Sequence, residues 1–89
     1  MKELEFGQLA ISLAGHDKGN LYVINSSDFE YVYLVDGKYK TLCNPKKKNK
    51  KHIQPINKVD ATLLQKKELS TLTDVDIKRT IKLYLSTHN

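Results

Sequence analysis

The sequence predicts a mainly β domain, a small barrel of about five antiparallel strands that carries a C-terminal α-helix. Three observations lead there. Apolar residues alternate with period two through most of the first 57 residues, Gly, Asn and Asp interrupt that alternation at short intervals, and beyond Asn57 the apolar spacing becomes helical. At 89 residues and 39% hydrophobic content the chain is expected to form one domain, with residues 1–57 as the barrel and 58–89 as a helical extension packed on it. A domain this short buries only about 60 to 65% of its unfolded surface, too little for two lobes with a catalytic cleft between them.

The elements follow in order. Leu9, Ile11 and Leu13 alternate with Ala10, Ser12 and Ala14, so a first strand is expected with the three larger residues turned inward. Gly15-His16-Asp17-Lys18-Gly19 breaks the pattern, and two glycines around an acid suit a tight connection into a second strand at about residues 21–24. Asn25-Ser26-Ser27-Asp28 reads as the next turn. Residues 31–35 are aromatic and β-branched, Asp36-Gly37 is a two-residue hairpin signal, and residues 39–43 are expected to return as the antiparallel partner. Asn44-Pro45 ends that strand. The run Lys46-Lys47-Lys48-Asn49-Lys50-Lys51 then reads as a loop, held at its base by prolines 45 and 55, with His52-Ile53-Gln54 as a short extended piece. Residues 61–69 are good helix formers without a convincing cap, so a short helical turn and an irregular crossing both stay open. Thr73 with Asp76 three residues on forms an N-cap signal, and Ile77, Ile81, Tyr84 and Leu85 place an apolar stripe on a helix over about residues 74–86.

The formal charge of +5 is unevenly placed. Residues 1–45 hold four Lys and six acids, residues 46–58 six Lys and no acid, and residues 59–89 five basic side chains and four acids, so the balances are −2, +6 and +1. This layout implies a local anion-binding surface and not a uniformly basic coat. Five ammonium groups in six residues repel one another unless solvated or neutralised by an anionic partner. A solvated loop, a nuclear localisation signal and a nucleic-acid contact are the three readings of Lys46, Lys47, Lys48, Lys50 and Lys51. In the third reading binding is largely sequence-nonspecific and salt-dependent, because lysine tracks phosphates without reading bases. The glycine-flanked turn is open to two readings, a plain tight turn or backbone N–H groups and Lys18 set against a phosphate.

Residues 6–24, FGQLAISLAGHDKGNLYVI, resemble a KOW motif, an RNA-binding element of ribosomal proteins and NusG-type elongation factors, with Gly15-x-Asp17-Lys18-Gly19 as its core. Val35-Asp36-Gly37, Lys51-His52-Ile53-Gln54-Pro55 and residues 74–84 extend the resemblance to KOW proteins of the archaeal and eukaryotic large ribosomal subunit and their small bacterial relatives. Tyr22 stands where the elongation-factor form has another glycine, which weighs against an RNA-polymerase role more than against RNA binding. The resemblance implies an SH3-like barrel that binds structured RNA, ribosomal RNA foremost, as a ribosome-associated or ribosomal-protein-like factor in translation. Gly15, His16, Asp17, Lys18 and Gly19 would meet the RNA backbone, with a phosphate contact from Lys18, and Lys46, Lys47, Lys48, Lys50 and Lys51, with His52 beside them, would supply most of the affinity.

Other chemistry has little support. Tyr31 and Tyr33 share one strand face, where cross-strand packing is favoured over base stacking. Cys43, His16 and His52 lack the paired spacing of a zinc site, and no Walker or G-x-S-x-G sequence occurs, so neither metal, cofactor nor catalysis is expected. A single cysteine, a start at Met1 to Glu5 without an apolar leader, and no run near the roughly 20 residues of a membrane span place the expected site in the cytoplasm, as a monomer when free. The rival reading is an SH3-like module for protein contacts, with ribosomal or transcription proteins as partners. Charge alone does not separate RNA from DNA.

Overall fold

The computed structural model describes residues 4–87; Met1 to Glu3, part of the N-terminus read as leaderless, lie outside them. Five strands, β1 (Gln8–Ser12), β2 (Leu21–Ser27), β3 (Tyr31–Val35), β4 (Lys46–Asn49) and β5 (Ile53–Val59), are followed by two helices, α1 (Ala61–Glu68) and α2 (Asp74–Thr87). The strands form one antiparallel sheet in the order β4-β3-β2-β1-β5. β4 and β5 are thus opposite edges, yet only the 3₁₀ turn Lys50–His52 joins them. Flat, the edges of five strands would stand roughly 19 Å apart. Three 3₁₀ residues advance about 6 Å, so the sheet must roll until its edges approach, as in a small SH3-like barrel. Register shifts between Gln8 and Leu9 and between Ile24 and Ser26 supply local bends.

Both faces of the rolled sheet are covered. Ala10, Tyr22, Ile24, Val32, Leu34 and Ile53 fill the barrel, whereas Leu9, Val23 and Val35 face outward onto Leu63 of α1 and Ile77 of α2. This corrects the orientation expected for β1. Leu9 is buried beneath the helices, Ala10 and Ser12 point into the barrel, and Leu13 lies past the strand end at 45% exposure. Ala10 pairs with Tyr22, and both are buried in the barrel core.

The partner of β3 also differs. Residues 39–43 form no strand, and only a single bridge joins Thr41 to Asn44. The carboxylate of Asp36 accepts hydrogen bonds from the N–H groups of Lys38, Tyr39 and Lys40, which curls the chain after Gly37. Leu42 N–H donates to Asp74 at the start of α2, 2.8 Å away, so that segment is drawn to the helix and away from β3. The lysine run takes its place as β4, with Lys46, Lys47, Lys48 and Asn49 opposite Leu34, Tyr33, Val32 and Tyr31. It is a strand and not a loop. β5 runs on through Pro55 to Val59, which an edge strand tolerates because one side of it needs no donor.

Asp60 caps α1 by accepting from Thr62 N–H, and its other oxygen accepts from the Thr80 hydroxyl of α2. That cap settles residues 61–68 as a helix. The Thr73 and Asp76 capping pair is present as expected, with Asp76 also accepting from Lys66 at 2.8 Å. Ile77 is buried and Ile81 and Tyr84 pack beside it, but Leu85 turns toward solvent. No helix among the described residues is long and apolar enough to cross a membrane.

Gly37 has φ +81° and lies against the first turn of α2, where an added Cβ would collide with the Asp74 carbonyl and the Lys78 side chain. Gly37→Ala is therefore expected to destabilise the fold by more than about 1 kcal/mol, read as a lowered urea midpoint.

Candidate functional site

The Gly15 to Gly19 turn is built on positive backbone angles, φ +86° at Gly15 and +91° at Gly19, that side-chain-bearing residues avoid. Gly19 N–H returns to the Ser12 carbonyl and Lys18 N–H to that of Gly15, so the turn closes at its base. Asp17 folds inward as a result, to 8% exposure, while His16 and Lys18 stay exposed.

Four donors meet the buried Asp17 carboxylate. Oδ1 accepts from the Ser12 hydroxyl at 2.9 Å and Lys48 Nζ at 2.8 Å, and Oδ2 accepts from the Tyr22 hydroxyl at 2.8 Å and Lys46 Nζ at 2.9 Å. Lys48 Nζ also donates to the Ala14 carbonyl at 2.9 Å. One side chain thereby joins β1, β2, the turn and β4. Burial works to raise the Asp17 pKa, but hydrogen bonds from Lys48, Lys46, Tyr22 and Ser12 outweigh it and hold the carboxyl well below the usual range. Burial, reinforced by the same carboxylate, pushes the Tyr22 phenol up to about 12.

Strand alternation decides what each lysine does. Lys46 and Lys48 lie opposite Leu34 and Val32, on the inner face, and reach Asp17. Lys47 points outward, its ammonium 4.2 Å from the centre of the Tyr31 ring. Lys50, Lys51 and His52 form the 3₁₀ turn beyond, where the Asn49 side chain accepts from Lys51 N–H and the His52 carbonyl accepts from Leu13 N–H. The two regions singled out in sequence, residues 15–19 and 46–52, are therefore neighbours. Together they hold six Lys and one Asp, a balance of +5 that equals the net charge of the chain.

Within that cluster the residues are not equivalent. Lys18, Lys47 and Lys51 with His16 and His52 are exposed and Lys50 half-buried, whereas Lys46 and Lys48 are engaged by Asp17. Ser12 and Tyr22 complete the carboxylate's shell, a role that their place in alternating strands did not reveal. Phe29 was also missed. It is 100% exposed between β2 and β3, and the available signal was an aromatic residue inside the polar stretch Ser-Ser-Asp-Phe-Glu. Among the described residues no group of His, Cys, Asp and Glu is placed to hold a metal ion. No protein-family model and no curated protein matches the chain.

The Asp17 carboxyl is depressed when folded, as is Asp76, held at about 2 by the Lys66 ammonium and Thr73 N–H, so the unfolded chain binds more protons in acid. Their stabilisation is complete above an unfolded pKa of about 3.9 and is lost as pH falls toward the folded values. Stability measured by urea unfolding is thus expected to drop below about pH 4. Asp17→Asn should flatten part of that drop and cost about 3 kcal/mol or more at neutral pH, because Lys48 is left buried without its counter-charge.

Proposed function

We propose that the protein binds RNA through its sugar-phosphate backbone, with ribosomal RNA as the foremost target and a ribosome-associated role. The single observation that carries this reading is the joining of the glycine turn and the lysine strand into one ridge that contains the whole net charge. Phosphate is the matching partner, since compact ammonium groups spaced along a ridge neutralise a polyanion and release its counterions. The likeness of residues 6–24 to a KOW motif points the same way. Lys18, Lys47, Lys50 and Lys51 supply the phosphate contacts, and exposed Gly19, with open space where a Cβ would stand, allows a backbone to come close. Lys46 and Lys48 serve mainly to hold the ridge in place, although two ammonium groups against one carboxylate still leave a surplus positive charge.

Four phosphate contacts correspond to a slope of log K against log salt of about −2.8 on single strands and about −3.6 on duplexes. Lys47→Gln with Lys51→Gln is expected to make that slope shallower by about 1.4 to 1.8 and leave the unfolding midpoint nearly unchanged. Lys48→Gln should instead lower the midpoint. Fluorescence anisotropy of a labelled ribosomal RNA hairpin across a salt series, beside urea unfolding, checks both. RNA affinity that the Lys47 and Lys51 changes leave untouched would contradict the assignment.

A further inference from the structure

The outer face of the sheet is covered only in part. Leu63 and Ile77 cover Leu9, Val23 and Val35, but the other end of β3, with Tyr31 and Tyr33 half-buried beside Lys47, carries no helix. Phe29 stands at the entrance of that strand. Its side chain is fully exposed although the backbone around it is tightly held. Asp28 N–H donates to the Tyr31 carbonyl, the Asp28 carboxylate accepts from Glu30 and Tyr31 N–H groups at 2.9 and 2.7 Å, and Lys50 N–H donates to the Glu30 carbonyl at 3.0 Å. Full exposure of a phenyl ring on a fixed turn gives up hydrophobic stabilisation for nothing within the fold.

Resting on the RNA reading above, we infer that Phe29 and Tyr31 form a stacking platform for the bases of a single-stranded segment whose phosphates lie along Lys47 and Lys50. Phe29 and Lys50, with Leu4, Ser27 and Asp28, line a hollow of about 430 Å³, so the free ring and a cation share one recess. The ammonium of Lys47 covers the Tyr31 ring at 4.2 Å. An incoming phosphate draws that ammonium off the ring and uncovers a π-face for the neighbouring base. Bases suit this surface better than a protein side chain does, because its surroundings are polar. Lys47, Asn49, Ser26 and Ser27 flank the aromatics, and among the described residues Leu4 is the one other apolar side chain that lines the recess. The Asp28 carboxylate accepts from two backbone N–H groups and the Tyr33 hydroxyl and faces the charge of Lys47. A duplex keeps its bases stacked internally and offers no such face, so the platform selects single strands.

The chain has no Trp and five Tyr, so tyrosine emission is available as an intrinsic signal. An oligouridine and an RNA duplex of equal length are titrated against the wild type, Phe29→Ala, Phe29→Trp and Lys47→Gln/Lys51→Gln. Phe29→Ala is expected to weaken oligouridine binding about 5- to 150-fold with its salt slope kept, to leave duplex binding unchanged, and to be rescued by Phe29→Trp. Wild-type tyrosine emission should be quenched by oligouridine. Unchanged oligouridine affinity in Phe29→Ala, alongside loss in the lysine variant, overturns the platform and spares the backbone reading. Phe29-dependent capture of a protein after nuclease treatment, with RNA affinity unchanged, overturns it in favour of a protein docking surface. A wild type that binds neither RNA at low salt overturns both.

Discussion

The fold turns on one buried carboxylate. Asp17 receives Ser12, Tyr22, Lys46 and Lys48, and so ties the glycine turn to strands from both sides of it. Its importance is clearest for β4. A strand of sequence KKKN has no apolar residue to bury and no pattern to set its register. A slip by one residue would exchange the two faces of such a strand and send Lys47 inward. The carboxylate removes that ambiguity, because the two inward lysines must meet it. Desolvating the charges offsets much of their attraction, so the network contributes more to defining one arrangement than to net stability, and removing a single member is what costs most. Every buried side-chain nitrogen and oxygen among the described residues has a partner, as a charged cluster in so small a barrel requires.

The same arrangement accounts for the behaviour of an edge. Exposed edge strands invite pairing with other chains, and charge along them discourages it. β4 is an edge strand rich in lysine, and β5, the opposite edge, carries Pro55. With Lys46 and Lys48 drawn to Asp17 from within, Lys47 faces outward, and the ridge continues into Lys50 and Lys51. In the proposed RNA reading those outward groups do two jobs, repelling strand addition and attracting phosphate. The division of labour among adjacent lysines is a consequence of period-two geometry and nothing in their chemistry.

Sequence was legible wherever local chemistry decides the outcome, as in a cap, a glycine turn or an aromatic and β-branched run. The Thr73 and Asp76 cap, the apolar residues 31–35 and the turn Gly15 to Gly19 were all apparent for that reason. It failed where one residue type served both faces or where a distant partner decided the outcome. Lysine points inward at 46 and 48 and outward at 47, so alternation was invisible and the strand resembled a loop. Leu9 and Ala10 are both buried because the sheet is covered on both sides, which defeats the usual rule for a half-buried strand. Asp36-Gly37 carries a hairpin signal, but Asp36 spends its carboxylate on three following N–H groups and Asp74 captures Leu42 from 32 residues away. The separation of the candidate residues into inward and outward groups required the inward turn of Asp17.

Asp17 and Lys48 act as one unit that holds the lysine strand to the turn. A double-mutant cycle in urea unfolding, with Asp17→Asn, Lys48→Met and the pair, tests that coupling most directly. Each single change is expected to destabilise by leaving a buried group without its partner, and the pair to cost less than the sum by about 1 to 3 kcal/mol. Strictly additive losses would mean instead that the two side chains contribute to the fold independently and do not act as one unit.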